Sequence, residues 1–174
     1  LSILCDNLDI DVWKLISLAN MHPRVDILQP GTGVGGHCIA VDPWFIVSKD
    51  NKNSNLIRTA REVNNSKTDW VIKKIKTLIT IFEDFQQRKP NIACLGLSFK
   101  PNIDDLRESP ARKIVEKLLD DGIKPMVVEP NIEKYKKSHL TDLNKAIKNA
   151  DMIFILVNHK QFSELKSISN NNIY

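Results

Sequence analysis

Four of the chain's six glycines, Gly31, Gly33, Gly35 and Gly36, stand just before a cysteine, Cys38, and an aspartate, Asp42, follows four residues later. Glycine lets a backbone take positive φ or approach a ligand closely, and it weakens any helix or strand, so the segment 30–43 is expected to be a loop presenting N–H groups to an anion. A thiol held beside such dipoles is favoured as the thiolate and gains nucleophilicity. A carboxylate four residues on could move protons or orient a water. Residue types alone leave a plainer reading open, a glycine-rich turn with a buried cysteine and a loop aspartate. His37 adjoins the thiol, but adjacent side chains tend to diverge, which argues against a base there.

A second group of candidates lies at 99–107. After the β-like run Ile92–Leu97 the chain reads Phe99-Lys100-Pro101-Asn102-Ile103-Asp104-Asp105-Leu106-Arg107, where a dinucleotide fold would carry G-x-G-x-x-G. This half is therefore not expected to hold NAD in the usual way. Lys100 and Arg107 instead stand between a strand end and a helix N-terminus, where a phosphorylated ligand gains from both the cations and the helix dipole. The alternative is that both make surface ion pairs with Asp104, Asp105 or Glu108.

The elements that must position these residues follow from periodicity. Residues 10–20 read as a short amphipathic helix with Asp9 or Asp11 as N-cap and Pro23 closing the segment, and Leu1–Cys5 reads as the end of a helix already under way. Trp44–Val47 fits a strand or the first turn of a helix. From 55 to 85 the apolar spacing predicts one or two helices, with a bend near Asn64–Ser66. Beyond Pro90 the pattern becomes strand, helix, strand: Ile92–Leu97, then a helix capped by Ser109 with Pro110 in its first turn and Gly122 at its end, then Pro125–Val128. Thr141–Ala150 reads as a further helix. Met152–Val157 reads as a strand apolar on both faces, as in a parallel sheet covered by helices. Asn51–Asn55 and Asn170–Asn172 read as polar loops.

With 174 residues, 42% of them apolar, the chain can bury one good core, and a formal charge of +4 without a basic tract gives no reason to expect nucleic acid as a partner. Three cysteines at 5, 38 and 94 read as thiols of a reducing compartment, with Cys5 and Cys94 as packing residues. No apolar run reaches membrane-spanning length and no export signal is visible, so no membrane contact and a cytoplasmic location are expected. No metal site is expected.

Four blocks in order, His22-Pro23-Arg24-Val25, the run 33–47 around Gly35-Gly36-His37-Cys38, Leu56–Asn64, and Gly96–Pro110, resemble the UDP-glucose/GDP-mannose dehydrogenase family. The resemblance implies an α/β fold in which residues 1–85 form a helical central, dimerisation region bearing the catalytic glycine-rich loop. It makes residues 86–174 a Rossmann-like, parallel-sheet UDP-sugar-binding domain. It implies two-step oxidation at C6 of a UDP-amino-sugar with NAD as cofactor, Cys38 as the covalent nucleophile and Asp42 as the proton-handling residue. Gly31, Gly33, Gly35, Gly36 and Lys100 are then substrate-binding, and Arg107 reaches the NAD. Arg24, with His22 beside it, would reach the partner's substrate site in a homodimer; a loop histidine without that role stays open for His22. Ile39–Trp44 inclines the substrate toward N-acetylmannosamine over N-acetylglucosamine.

The sequence departs from the family in three ways. Thr32 stands where close relatives usually have proline. The amino-terminal NAD-binding domain, together with a glutamate, a lysine and an asparagine of the family's active site, is not in this sequence. The chain also stops within what looks like the last domain. The expectation is of a fragment that binds a UDP-sugar weakly and does not turn over. Two other classes remain open: a non-catalytic nucleotide-sugar-binding or dimerisation module, against which the retained Cys38 and Asp42 argue, and a cysteine hydrolase, to which four scattered histidines give little support.

Overall fold

In the computed structural model, which describes residues 1–167 and 173–174, the chain divides into two units, Leu1–Gly31 and Thr32–Tyr174. Asn170–Asn172, read above as a loop, lies outside the described residues. The first unit holds α1 (Ser2–Asn7) and α2 (Val12–Ala19), with Cys5 and Ile16 as its buried residues. Of the two possible N-caps it is Asp11 that serves α2, its carboxylate accepting from the amides of Trp13 at 2.9 Å and Lys14 at 3.2 Å.

The second unit begins with the glycine-rich loop and continues into α3 (Asp42–Lys49). The sequence left this segment between strand and helix. Pro43 in the first turn, where a missing N–H costs nothing, favours the helix. Next comes α4 (Asn55–Gln86), a single 32-residue helix that runs uninterrupted through Asn64–Ser66. Its Ile72, Ile75 and Ile79 form one buried stripe at helical spacing.

Three parallel strands follow: β1 (Ile92–Leu95), β2 (Met126–Val128) and β3 (Met152–Ile155), in the spatial order β2-β1-β3. They are linked by α5 (Pro110–Asp120) and α6 (Leu143–Asn149), and a 3-10 helix spans Lys160–Ser167. Alternation along β1 sends Ile92 and Cys94 to one face, where they join the α4 isoleucines and Ile114, Val115 and Leu118 of α5. Ala93 and Leu95 go to the other face, with Ala146, Phe162 and Leu165. Both faces are covered, which is why the strands read as unbroken apolar runs.

All three strands are shorter than the apolar runs suggested, for identifiable reasons. Gly96 leaves the β region at φ 92°, and the next two amides turn to a carboxylate, as described below. Pro125 has no N–H for the ladder, so β2 starts at Met126. The amides of Leu156 and Val157 both donate to the carbonyl of Leu95, at 2.9 and 3.2 Å, which takes the chain out of register. The cap expected for α5 is present, Ser109 Oγ accepting from the Arg112 amide at 3.2 Å. Asp142 caps α6 by accepting from Lys145, and so sets its start later than Thr141.

Candidate functional site

Cys38 is exposed, whereas Cys5 and Cys94 are buried. Burial pushes the Cys94 thiol up to about 12, as expected of a packing residue, so Cys38 is the accessible thiol of the chain. Its loop is held by side chains of α4. Asn64 accepts from the Val34 amide at 2.8 Å and donates to the Val34 carbonyl at 3.1 Å, and Thr68 donates to the Thr32 carbonyl at 3.2 Å. On its other side the loop presses on the turn entering α5. A Cβ at Gly35 would collide with the Glu108 carbonyl oxygen and lie 2.8 Å from Pro110. Gly36, at φ 87°, would bring a Cβ within 2.9 Å of the Phe99 ring, and its amide donates to the Arg107 carbonyl at 3.1 Å. The loop ends in the first turn of α3, where the Cys38 carbonyl accepts from the Asp42 amide at 2.8 Å and Asp42, itself exposed, opens the helix.

Close packing therefore accounts for Gly35 and Gly36, while a side chain at Gly31 would meet nothing within 4 Å. The loop amides of Val34, Gly36 and Val41 are bonded within the protein. Of the cations at the β1–α5 turn, Arg107 takes the ion-paired alternative. Its Nε and Nη2 both donate to Asp105, at 2.9 and 2.6 Å, and this pairing raises its pKa, with a smaller contribution from the nearby Cys38 sulfur. His37 likewise adds to the field that lowers the Asp105 carboxyl, behind the hydrogen bonds from Arg107. The structure thus gathers Gly35, Gly36, His37, Cys38, Phe99, Asp105 and Arg107 in one region. Lys100 follows Phe99 on this turn and is exposed.

A cluster that the sequence did not reveal lies at the carboxyl ends of the three strands. Glu129, after β2, accepts at Oε2 from the amides of Leu97 at 2.7 Å and Ser98 at 3.0 Å, and at Oε1 from the Asn131 amide at 3.0 Å. His159, after β3, lies with Nε2 3.1 Å from Glu129 Oε2, and its Nδ1 accepts from the Asn102 amide at 2.9 Å. A neutral ring with its proton on Nε2 satisfies both bonds, because the Asn102 amide can only donate. Glu129 is 4% exposed and His159 0%. Burial pushes the Glu129 carboxyl up, but the His159 bond and the Leu97 and Asn131 amides outweigh it and hold the group below its ordinary value. The consequence is a fixed turn 98–102, which carries Lys100.

His22 and Arg24 belong to the first unit. There the Asn20 side chain ties back to Ile27, accepting from its amide at 2.8 Å and donating to its carbonyl at 2.9 Å. Inside that closed turn His22 Nδ1 accepts from the Arg24 amide at 3.2 Å. His22 shapes the turn that displays an exposed Arg24. Among the described residues no cluster of three metal-ligating side chains occurs, and no helix is long and apolar enough to cross a membrane.

Two family descriptions match the chain: the central domain of the UDP-glucose/GDP-mannose dehydrogenase family over residues 1–66 and its UDP binding domain over residues 93–173. The chain belongs to that family. It is 54% identical over 175 residues to UDP-N-acetyl-D-mannosamine dehydrogenase of Campylobacter jejuni, a match covering 96% of this chain and 42% of that protein. It is 49% identical over 170 residues to NDP-N-acetyl-D-galactosaminuronic acid dehydrogenase of Ralstonia nicotianae, covering 95% and 39%. The UDP-N-acetyl-mannosamine dehydrogenase structure from S. aureus superposes with a TM-score of 0.78 at 40% identity, over 98% of this chain and 39% of that one. The chain thus spans about two fifths of the length of the relatives it matches, and the helical segment followed by a UDP-binding domain is the arrangement expected from sequence.

Proposed function

We propose that this chain is the later portion of an NAD-dependent nucleotide-sugar 6-dehydrogenase that oxidises UDP-N-acetyl-D-mannosamine to UDP-N-acetyl-D-mannosaminuronate, serving the synthesis of surface polysaccharide. The observation that carries the reading is an exposed Cys38 on a loop fixed to α4 and tied by the Gly36 amide to the Arg107 carbonyl. Residues 1–85 serve as the central, dimerising region and residues 86–174 as the UDP-sugar-binding domain. Three unpaired thiols suit a cytoplasmic enzyme.

NAD supplies the hydride acceptor. The turn after β1 does not fit a dinucleotide pyrophosphate, because Phe99 packs on Gly36 and the strand ends are filled by Glu129 and His159. Arg107 is the residue of this chain offered to NAD, and Lys100 is offered to the UDP-sugar. Loss of hydride and proton from the C6 alcohol gives an aldehyde. The Cys38 thiolate adds to its carbonyl carbon, and the resulting thiohemiacetal loses a second hydride to become a thioester. Asp42 then orients the water that attacks, and the C–S bond breaks to release the carboxylate and restore the thiol. The sum is one sugar and one water converted to one acid with two hydrides transferred.

Replacement of Cys38 by serine in the full-length protein is expected to abolish acid formation, read as NADH released per sugar. A normal yield of two overturns the covalent route. Relatives of similar identity act, by their names, on different amino sugars. UDP-N-acetylglucosamine is the alternative substrate, and rates with each sugar decide. Arg24 is proposed to reach the partner's site in a homodimer, a reading supported by its display on a held turn and by exposed apolar side chains on the same unit, among them Leu4, Leu8, Trp13 and Leu18. Arg24→Ala should then be rescued in mixed dimers with Cys38→Ser.

A further inference from the structure

A groove of about 780 Å³ runs between α3, α4 and α5, behind the glycine-rich loop. None of Cys38, Asp42, Lys100 or Arg107 lines it. At its wall stands Arg61, 8% exposed, whose Nε has no hydrogen-bond partner and for which no ion pair is found among the described residues. A buried guanidinium N–H left without an acceptor is unfavourable, so Arg61 Nε has donor capacity that no group among the described residues uses. Glu108 feels the Arg61 charge, but its carboxylate is hydrogen-bonded by Lys113 Nζ at 2.6 Å and shared with that lysine and Arg112. Lys73, Lys76, Lys113 and Lys117 add four more cations to the lining, against the carboxylates of Asp69 and Glu108. Lys76 and Lys117 converge on Asp121, at 2.5 and 2.7 Å, which leaves Lys73 uncommitted to an ion pair among the described residues. Thr68, Asn64 and Asn65 add hydroxyl and amide groups to the lining, beside the apolar Trp44, Ile72 and Pro110.

We propose that this groove binds a phosphate-bearing anion of nucleotide size, with Arg61 as its central contact. A planar fork of donors suits phosphate oxygens, and the volume falls within the range of small-molecule sites. A cation-rich wall with apolar patches at Trp44, Ile72 and Pro110 suits an anion that carries an organic ring better than the apolar face of another protein. Asn64 lines the groove and also holds Val34, so a bound anion would abut the residue that fixes the cysteine loop. The site stands independently of the reading of Cys38.

The test titrates the 174-residue chain and the full-length protein with inorganic pyrophosphate by calorimetry at low ionic strength, with uridine monophosphate as a second arm to tell a nucleotide from the free phosphate group. Saturable binding is expected in both proteins, weakened at least about tenfold by Arg61→Met, less by Arg61→Lys, and within about twofold of wild type in Lys124→Ala, an exposed lysine outside the groove. If Arg61→Met fails to fold by circular dichroism, Lys73→Ala takes its place with a smaller expected loss. The proposal falls if pyrophosphate does not bind, or if Lys124→Ala removes binding and the groove variants do not. It also falls if binding is present in the 174-residue chain and absent from the full-length protein, since a protein carboxylate then occupies Arg61.

Discussion

The cysteine loop and the strand-end cluster each join residues from distant parts of the chain, yet they are held by opposite means. The loop is exposed, pinned by a few side chains of α4 and by close contact at Gly35 and Gly36. The cluster is sealed, with Glu129 and His159 satisfying one another and four surrounding amides. The difference teaches where each kind of group belongs. A nucleophile has to be reachable and can sit on backbone that gives a little, whereas the turn presenting Lys100 is set by a buried carboxylate whose bonds are protected from water.

The largest expected contrast is between sulfurs. Iodoacetamide applied to the folded chain at pH 8 should modify Cys38 at least about a thousandfold faster than Cys94, whose thiol is both inaccessible and pushed up to about 12. Peptide mass spectrometry reads this directly, and comparable rates would erase the distinction between the two regions. Next in size, Glu129→Ala should cost about 3–5 kcal/mol in urea unfolding, because it strands two buried amides and His159 together. A loss below about 1 kcal/mol would mean that the turn 98–102 is held by something else.

These two regions were also unequally legible in the sequence. The loop announced itself because glycines, cysteine and aspartate are neighbours, and the Ser109 cap and the strand–helix–strand unit were equally local. Glu129 and His159 carry no local signal: they are 30 residues apart, and His159 and Ser98 are 61 apart, so only the parallel sheet brings them together. Asn64 was visible as part of a motif, but its grip on Val34, across 30 residues, was not. Trp44–Val47 was ambiguous because four apolar residues fit either period, and the Asp-Pro pair before them decided it. For Arg107 the sequence offered Asp104, Asp105 and Glu108 as ion-pair partners, but spacing could not choose among them, and it is Asp105 that accepts from Nε and Nη2.

A smaller effect sharpens the comparison from the loop's side. Asn64→Ala removes two hydrogen bonds to Val34 and should cost about 1–2 kcal/mol, while hydrogen exchange accelerates at residues 33–37 and stays unchanged at 97–102. The smallest concerns acid. Because the folded Glu129 carboxyl is held below its unfolded value, its contribution is complete above the ordinary carboxylate value of 4.5 and is lost as the pH falls through the lower folded one. Glu129→Gln should therefore flatten the fall in stability below that value and leave the neutral-pH slope alone. An unaltered acid limb would locate the acid sensitivity in other carboxylates.

The most direct measurement is a rapid acid quench of the full-length protein turning over a UDP-amino-sugar with NAD, followed by peptide mass analysis. A covalent route through Cys38 gives a sugar-sized mass increment on the peptide containing that residue, increased in Asp42→Asn where water attack is slowed. Full acid production with Cys38 unmodified at every quench time, and undiminished in Cys38→Ser, would contradict it.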